Sequence, residues 1–274
     1  MDATEQPLRG QVAIVTGAGR GVGRAIATAL ARSGAAVALA SRSVEELRSA
    51  ATELEALGAE AVVVPTDVID EQAVANLVAE ASLKLGPPTL LVNAAGSWTQ
   101  VGPVEEADPG AWWRDIEVSL KGTFLCTREV LPGMISRGAG RIVNLSSYAA
   151  VSPRPYASSY AAAKAAVLRF SDSLAAELEG RGVFVFAVTP GFVHTQLVER
   201  VASSPAGRRY LPELSERADA LEPERVGRLV ADIATGRLDV LAGRFLHVLD
   251  DVDDLVERAD EIRRRNLYTL GLRT

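Results

Sequence analysis

The sequence predicts an α/β fold: a single doubly wound Rossmann-type domain over residues 1–274, with a mostly parallel seven-stranded sheet and helices on both faces. Three observations carry this. Seven short apolar runs recur along the chain, at residues 12–16, 36–40, 61–65, 90–93, 141–146, 183–189 and 240–249. Most are continuous rather than alternating, as in strands buried on both faces. Stretches with helical spacing separate them, and a glycine-rich turn joins the first run to the first such stretch. Strands alternating with helices specify parallel pairing through right-handed crossovers.

Taken in order, the first run passes into Gly17-Ala18-Gly19-Arg20-Gly21-Val22-Gly23 and an alanine-rich helix. Glycines there let the backbone turn tightly and approach a pyrophosphate, whose charge is met by the free amides and dipole of the helix start. The second run ends at Ser41-Arg42. Residues 44–57 then place Val44, Leu47, Ala51, Leu54 and Leu57 on one helical face, and Gly58 closes it. Residues 70–85 repeat the pattern after Asp67-Val68 and stop at Gly86-Pro87-Pro88. The fourth run ends in Asn93-Ala94-Ala95-Gly96. Trp112 and Trp113 start a helix running to about Met134. The fifth run leads to Ser147, and the sixth to Pro190-Gly191-Phe192-Val193-His194-Thr195.

Residues 196–221 mix Arg200, Arg208, Arg209 and Arg217 with Glu199, Glu213, Glu216 and Asp219, and by position form a mobile substrate lid. Residues 251–274 form a C-terminal helical extension, with Val252, Leu255, Val256, Ala259 and Ile262 at helical spacing and Arg263 to Arg265 at its end. A packing or subunit-contact role is expected for it, with the apolar tail 267–272.

The composition excludes several classes. Cys126 is the only cysteine, and His194 and His247 are isolated, so no metal site is expected. A net charge of -6 opposes nonspecific nucleic-acid binding. No apolar run reaches the roughly 18 residues of a membrane span, and the first ten residues lack a targeting pattern, so a cytoplasmic protein with no membrane partner is expected.

The chemistry centres on Tyr160 and Lys164. Four apart on a helix, a phenol and an ammonium share one face. A fixed cation favours the phenolate and brings an acid/base group towards neutral pH. Trp98, Tyr148 and Tyr156 fall in loops after strand ends, where they could meet a substrate or simply pack; His194 could line the site or be exposed.

Together, Thr16-Gly-x-x-x-Gly-x-Gly23, Asn93-Ala-Ala-Gly96, Ser147, Tyr160-x-x-x-Lys164 and Pro190-Gly191 resemble the short-chain dehydrogenase/reductase family in order and spacing, over roughly residues 8–250. The resemblance implies NAD(P)-dependent hydride transfer on a small-molecule carbonyl or alcohol. It implies Tyr160 as acid/base, Lys164 as the ribose-binding, pKa-lowering lysine and Ser147 as the hydroxyl holding the substrate oxygen. Asp67 and Val68 match the pair near the adenine, Asn93 the asparagine after the fourth strand, and Thr195 the threonine near the carboxamide. Ala94, Gly96, Pro190, Gly191 and Val193 join the cofactor set. A homodimer or homotetramer is implied. Ser119 stands where the family has a catalytic asparagine, so the usual proton relay is in doubt.

Cofactor choice follows from charge. An NAD enzyme places a carboxylate after the second strand, whereas this chain has Ser41 and Arg42, with Arg20 in the turn as a second guanidinium. Either arginine alone could be a solvated surface residue. Together they favour NADP(H). The reading is an NADPH-dependent reductase of a ketone or aldehyde, or the reverse. Its rivals are a catalytically weak nucleotide-sensing or scaffold relative, and an imine or enone-type reductase.

Overall fold

A computed structural model describes residues 6–271. Leu272, in the expected apolar tail, and the first five residues lie outside the described residues. The chain runs β1 (Val12–Thr16), α1 (Gly21–Arg32), β2 (Ala36–Ser41), α2 (Val44–Ala56), β3 (Ala61–Pro65), α3 (Glu71–Leu85) and β4 (Leu90–Asn93). It continues through α4 (Pro109–Ile116), a π-helical turn (Glu117–Lys121), α5 (Gly122–Arg137), β5 (Gly140–Leu145), α6 (Ser158–Glu177) and β6 (Val183–Thr189). After these come α7 (Gln196–Ser203), α8 (Pro205–Tyr210), α9 (Glu213–Glu216), α10 (Glu224–Ala234), β7 (Phe245–His247), α11 (Val252–Glu257) and α12 (Ala259–Arg264).

All strand pairs are parallel, in the order β3-β2-β1-β4-β5-β6-β7. Successive side chains alternate between two cores. Ala13, Val15, Leu39, Val92 and Phe186 pack on α1, α2 and α10, while Ile14, Ala38, Leu91, Ile142 and Val185 pack on α3, α5 and α6. Most strand positions are therefore apolar, and Thr16, Ser41, Asn93, Asn144 and Thr189 are polar at or near the carboxyl ends. Cys126 lies in the second core, where burial pushes its thiol up to about 12. Local caps fix the helix starts: Ser43 Oγ accepts from Glu46 N, Asp70 from Gln72 N and Ala73 N, and Asp108 from Ala111 N.

The structure departs from the sequence reading in three places. The seventh strand is Phe245–His247 rather than 240–249, because Asp239–Leu241 forms a 3-10 turn. The helix expected from Trp112 begins at Pro109, and one turn of it is π-helical before it ends at Arg137. The C-terminal helix is two helices meeting at Arg258, with Leu255, Ala259 and Ile262 buried in the first core. Beyond them the chain returns along β7, where Phe245 N donates to Tyr268 O at 2.8 Å and His247 N to Asp250 Oδ2 at 2.6 Å.

Candidate active site

Neighbouring β1 and β4 carry the point at which the strand order reverses, where doubly wound sheets open a crevice at the carboxyl ends of their strands. A cavity of about 610 Å³ lies there. Gly17, Gly19, Arg20, Gly21, Val22 and Gly23 line it from the first turn, with Ser41 and Arg42 after β2, Asp67 and Val68 after β3, and Ala94 and Gly96 after β4. Tyr160 and Lys164 of α6, then Pro190 and Thr195 after β6, complete its far side.

Helical spacing turns Tyr160 and Lys164 to this cavity as expected. Lys164 is buried, and its Nζ donates to Leu145 O at 2.7 Å and lies 5.9 Å from the Tyr160 ring centroid. Burial lowers its ammonium to about 8. For Tyr160 the balance differs from the sequence expectation. Burial raises the phenol above its usual value, with the neighbouring Ser147 hydroxyl and the Arg154 charge pulling the other way. Ser147 caps the 3-10 turn Tyr148–Ala150, its Oγ accepting from Ala149 N at 3.2 Å. Ser119 is buried in the π-helical turn, and its Oγ accepts from Ser97 N at 3.5 Å. A Cβ on Gly96 would lie 3.6 Å from Lys164 Nζ and 3.9 Å from Ser119 Oγ, so these two groups face one glycine from different helices.

Several cofactor expectations change in detail. Asn93 does not line the cavity; its Nδ2 donates to Asn144 Oδ1 at 2.9 Å and Thr127 Oγ1 at 3.2 Å, tying β4 to β5 and α5 inside the second core. Gly191 and Val193 also lie outside the lining, Val193 being buried. Thr195 caps α7 by accepting from Val198 N. Asp67 accepts from Arg114 at 3.2 Å and from Ile69 N at 3.3 Å. Arg42 is exposed at the cavity edge and makes no ion pair among the described residues. Arg20 donates to Glu46 Oε1 at 3.0 Å and Gln196 Oε1 at 2.7 Å.

Glu46 therefore supplies a carboxylate beside Ser41 that reading the strand end alone missed. The Ser43-x-x-Glu46 spacing was the available signal, since a capping box puts this glutamate at the helix start. Trp98 and Asp115 were also under-read. The Trp98 indole stacks on the Tyr160 ring, centroids 4.7 Å apart and planes 19° from parallel. Residues 196–221 are more regular than their mixed charge suggested, folding as three short helices whose Val201, Leu211 and Leu214 pack with Trp98. Tyr148 and Tyr156 are exposed, Tyr156 packing on Tyr210 with centroids 4.8 Å apart, and His194 is exposed.

The first turn fits a dinucleotide. A Cβ on Gly23 would stand 2.3 Å from Gly17 O, and one on Gly17 would stand 2.9 Å from Ala95 N, so only glycines leave the backbone open there. Ser41 Oγ is buried at the same wall without a hydrogen-bond partner among the described residues. Such a group is usually satisfied by something bound.

The short chain dehydrogenase family matches residues 11–206. A short chain dehydrogenase of Pseudocercospora fijiensis is 35% identical over 97% of this chain and 90% of its own length. An NAD(+)-linked 2-dehydro-3-deoxy-L-rhamnonate dehydrogenase of a Sphingomonas species is 37% identical over 75% of this chain and 85% of its own. Among solved structures, a variant of actinorhodin polyketide ketoreductase with NADPH superposes with a TM-score of 0.79 at 32% identity, covering 87% of this chain and 95% of that one.

Proposed function

Because the chain belongs to the short-chain dehydrogenase/reductase family, we propose that it is an NADP(H)-dependent oxidoreductase that reduces a ketone or aldehyde to an alcohol, or runs the reverse reaction. The observation that carries this is the pairing of Tyr160 and Lys164 on one wall of the cavity whose other wall is the glycine turn. Gly17 to Gly23 would hold the pyrophosphate, Lys164 the ribose beside Tyr160, and Asp67 and Val68 the adenine edge. Bound there, the nicotinamide supplies or accepts the hydride.

The chain's own groups handle the proton. With its affinity for protons raised by burial, Tyr160 keeps its phenolic hydrogen at neutral pH and can give it to a carbonyl oxygen. Ser147 Oγ accepts from Ala149 N, and its O–H, lying beside the Tyr160 phenol, can hold that same oxygen. Lys164 spends one N–H on Leu145 O, leaving others for a ribose and for returning a proton to Tyr160. For alcohol oxidation Tyr160 must first lose its proton, so that direction gains as pH rises.

Two guanidiniums and one carboxylate stand at the Ser41 wall, a balance that supports a 2′-phosphate, with Arg42 the charge that has no ion pair among the described residues. Trp113 and Phe124 remain exposed on α4 and α5, which supports a homo-oligomer. The serine at 119 favours the second reading, a nucleotide-binding relative with weak turnover.

Following NADPH oxidation against a panel of ketones, aldehydes and quinones tests the proposal. Tyr160→Phe should fold, bind NADPH and lose about 10²- to 10⁴-fold in turnover. A parent with no turnover on any carbonyl, or a fully active Tyr160→Phe, would reject it.

A further inference from the structure

We propose that Asp115 is a positioning residue for carbonyl reduction, holding Trp98 against Tyr160 so that the indole forms a fixed wall of the substrate site. The inference rests on the function proposed above and names a residue outside the Ser-Tyr-Lys group.

Asp115 lies in α4, one helical turn before Ser119, and is fully buried with no cationic partner among the described residues. A buried carboxylate is costly unless it is well hydrogen-bonded. Five donors surround this one. Ser97 Oγ donates to Oδ1 at 2.7 Å, Thr99 Oγ1 to Oδ1 at 2.9 Å, Thr99 N to both oxygens at 2.9 and 3.0 Å, and Gln100 N to Oδ2 at 3.1 Å. Ser159 Oγ gives the fifth, to Oδ2 at 2.8 Å. Charge-assisted bonds of this kind are short and strong.

The donors have a pattern. Ser97 and Thr99 flank Trp98, and Ser159 immediately precedes Tyr160. One carboxylate thus holds the neighbours of both members of the stacked pair. The Trp98 indole has no hydrogen bond among the described residues: its Nε1 is buried without a partner there, although a buried indole N–H usually finds one. Its orientation therefore depends on packing, from Tyr160 below and from Val201, Leu211 and Leu214 of the 196–221 segment, and on the tethered backbone to either side. Releasing the tether frees the indole, whereas Tyr160 stays held by the long helix α6.

The test is a double-mutant cycle with Asp115→Asn and Trp98→Ala. Asparagine keeps the size and one acceptor but turns an amide N–H towards surrounding donors. Asp115→Asn should raise the KM for a carbonyl substrate about tenfold, change kcat less, and leave NADPH affinity within about twofold. In the Trp98→Ala background the same substitution should change KM by less than about twofold, because neighbours acting through one contact are not additive. Emission from Trp98, obtained by difference from Trp98→Phe, should shift to longer wavelength in Asp115→Asn. If Asp115→Asn does not fold, Thr99→Val and Ser159→Ala each remove a single donor and should shift the emission in the same direction by less.

Additive KM effects, or Trp98 emission unchanged in variants that fold, would overturn the proposal. The emission readout needs no turnover, so a parent inactive on every carbonyl would remove the proposed function while leaving the Asp115 tether decided on its own.

Discussion

Replacing Lys164 by methionine separates what this residue costs the fold from what it does in the reaction. Lys164 is only 6% exposed, and burial brings its ammonium from the usual 10.5 to about 8. Between pH 8 and 10.5 the unfolded chain holds a proton here that the folded chain has lost. Stability then rises with pH, since the unfolded state binds more protons. At about 1.4 kcal/mol per pH unit the rise across that window is on the order of 3 kcal/mol. Below pH 8 the parent carries the whole penalty. Methionine removes it but leaves Leu145 O without the donor now 2.7 Å away, which costs about 1–3 kcal/mol. The variant should therefore be as stable as the parent at pH 7, or more stable by up to about 2 kcal/mol, while losing turnover. The sharper quantity is the difference between the two proteins, in which every other titrating group cancels. Urea unfolding of cofactor-free parent and Lys164→Met, from pH 7 to pH 10, should show little change in the difference below about pH 8 and the parent gaining on the variant above it. A difference that stays flat across this range, or one in which the parent falls behind as pH rises, would refute the reasoning.

Two further substitutions address the cofactor and the relay. Arg42→Ala should weaken NADPH about ten- to a hundredfold, as expected for one charge-assisted contact of roughly 1.5–3 kcal/mol, and leave NADH almost unchanged; equal loss of both in titrations of each cofactor would remove the phosphate assignment. Ser119→Asn should give turnover equal to or above the parent in NADPH oxidation, whereas an inactive Ser119→Asn beside a fully active Ser119→Ala would make the position one of packing.

The sheet was legible because a strand buried on both faces reads as a near-continuous apolar run, and β1 to β6 do so, their polar residues falling mostly at or near the carboxyl ends. The last run was read too long for the same reason: Val240, Leu241 and Leu246 are all apolar, yet only the last lies in the strand, and periodicity cannot distinguish a buried turn from a buried strand. Tyr160 and Lys164 were legible because their relation is local, one helical turn apart. Asn93 lies deeper than its place at the end of β4 indicates, because that place says nothing about which way its amide points, and here it points into the core. Glu46, Trp98 and Asp115 take their meaning from partners 15 to 62 residues away, at Arg20, Tyr160 and the 97–100 loop with Ser159. No short window of sequence contains those relations.

The way β7 ends the sheet bears on behaviour in concentrated solution. An outermost strand usually offers a row of free amides on which another chain can grow, the route by which sheets join from one molecule to the next. In this protein the Phe245 amide is taken by the Tyr268 carbonyl and the His247 amide by the Asp250 carboxylate. The outer rim of the strand has neither of these donors to offer. The returning C-terminal segment therefore blocks the rim at Phe245 and the Asp250 carboxylate blocks it at His247, and losing both would open the protein to fibre-like association before it disturbed the crevice on the other side of β6.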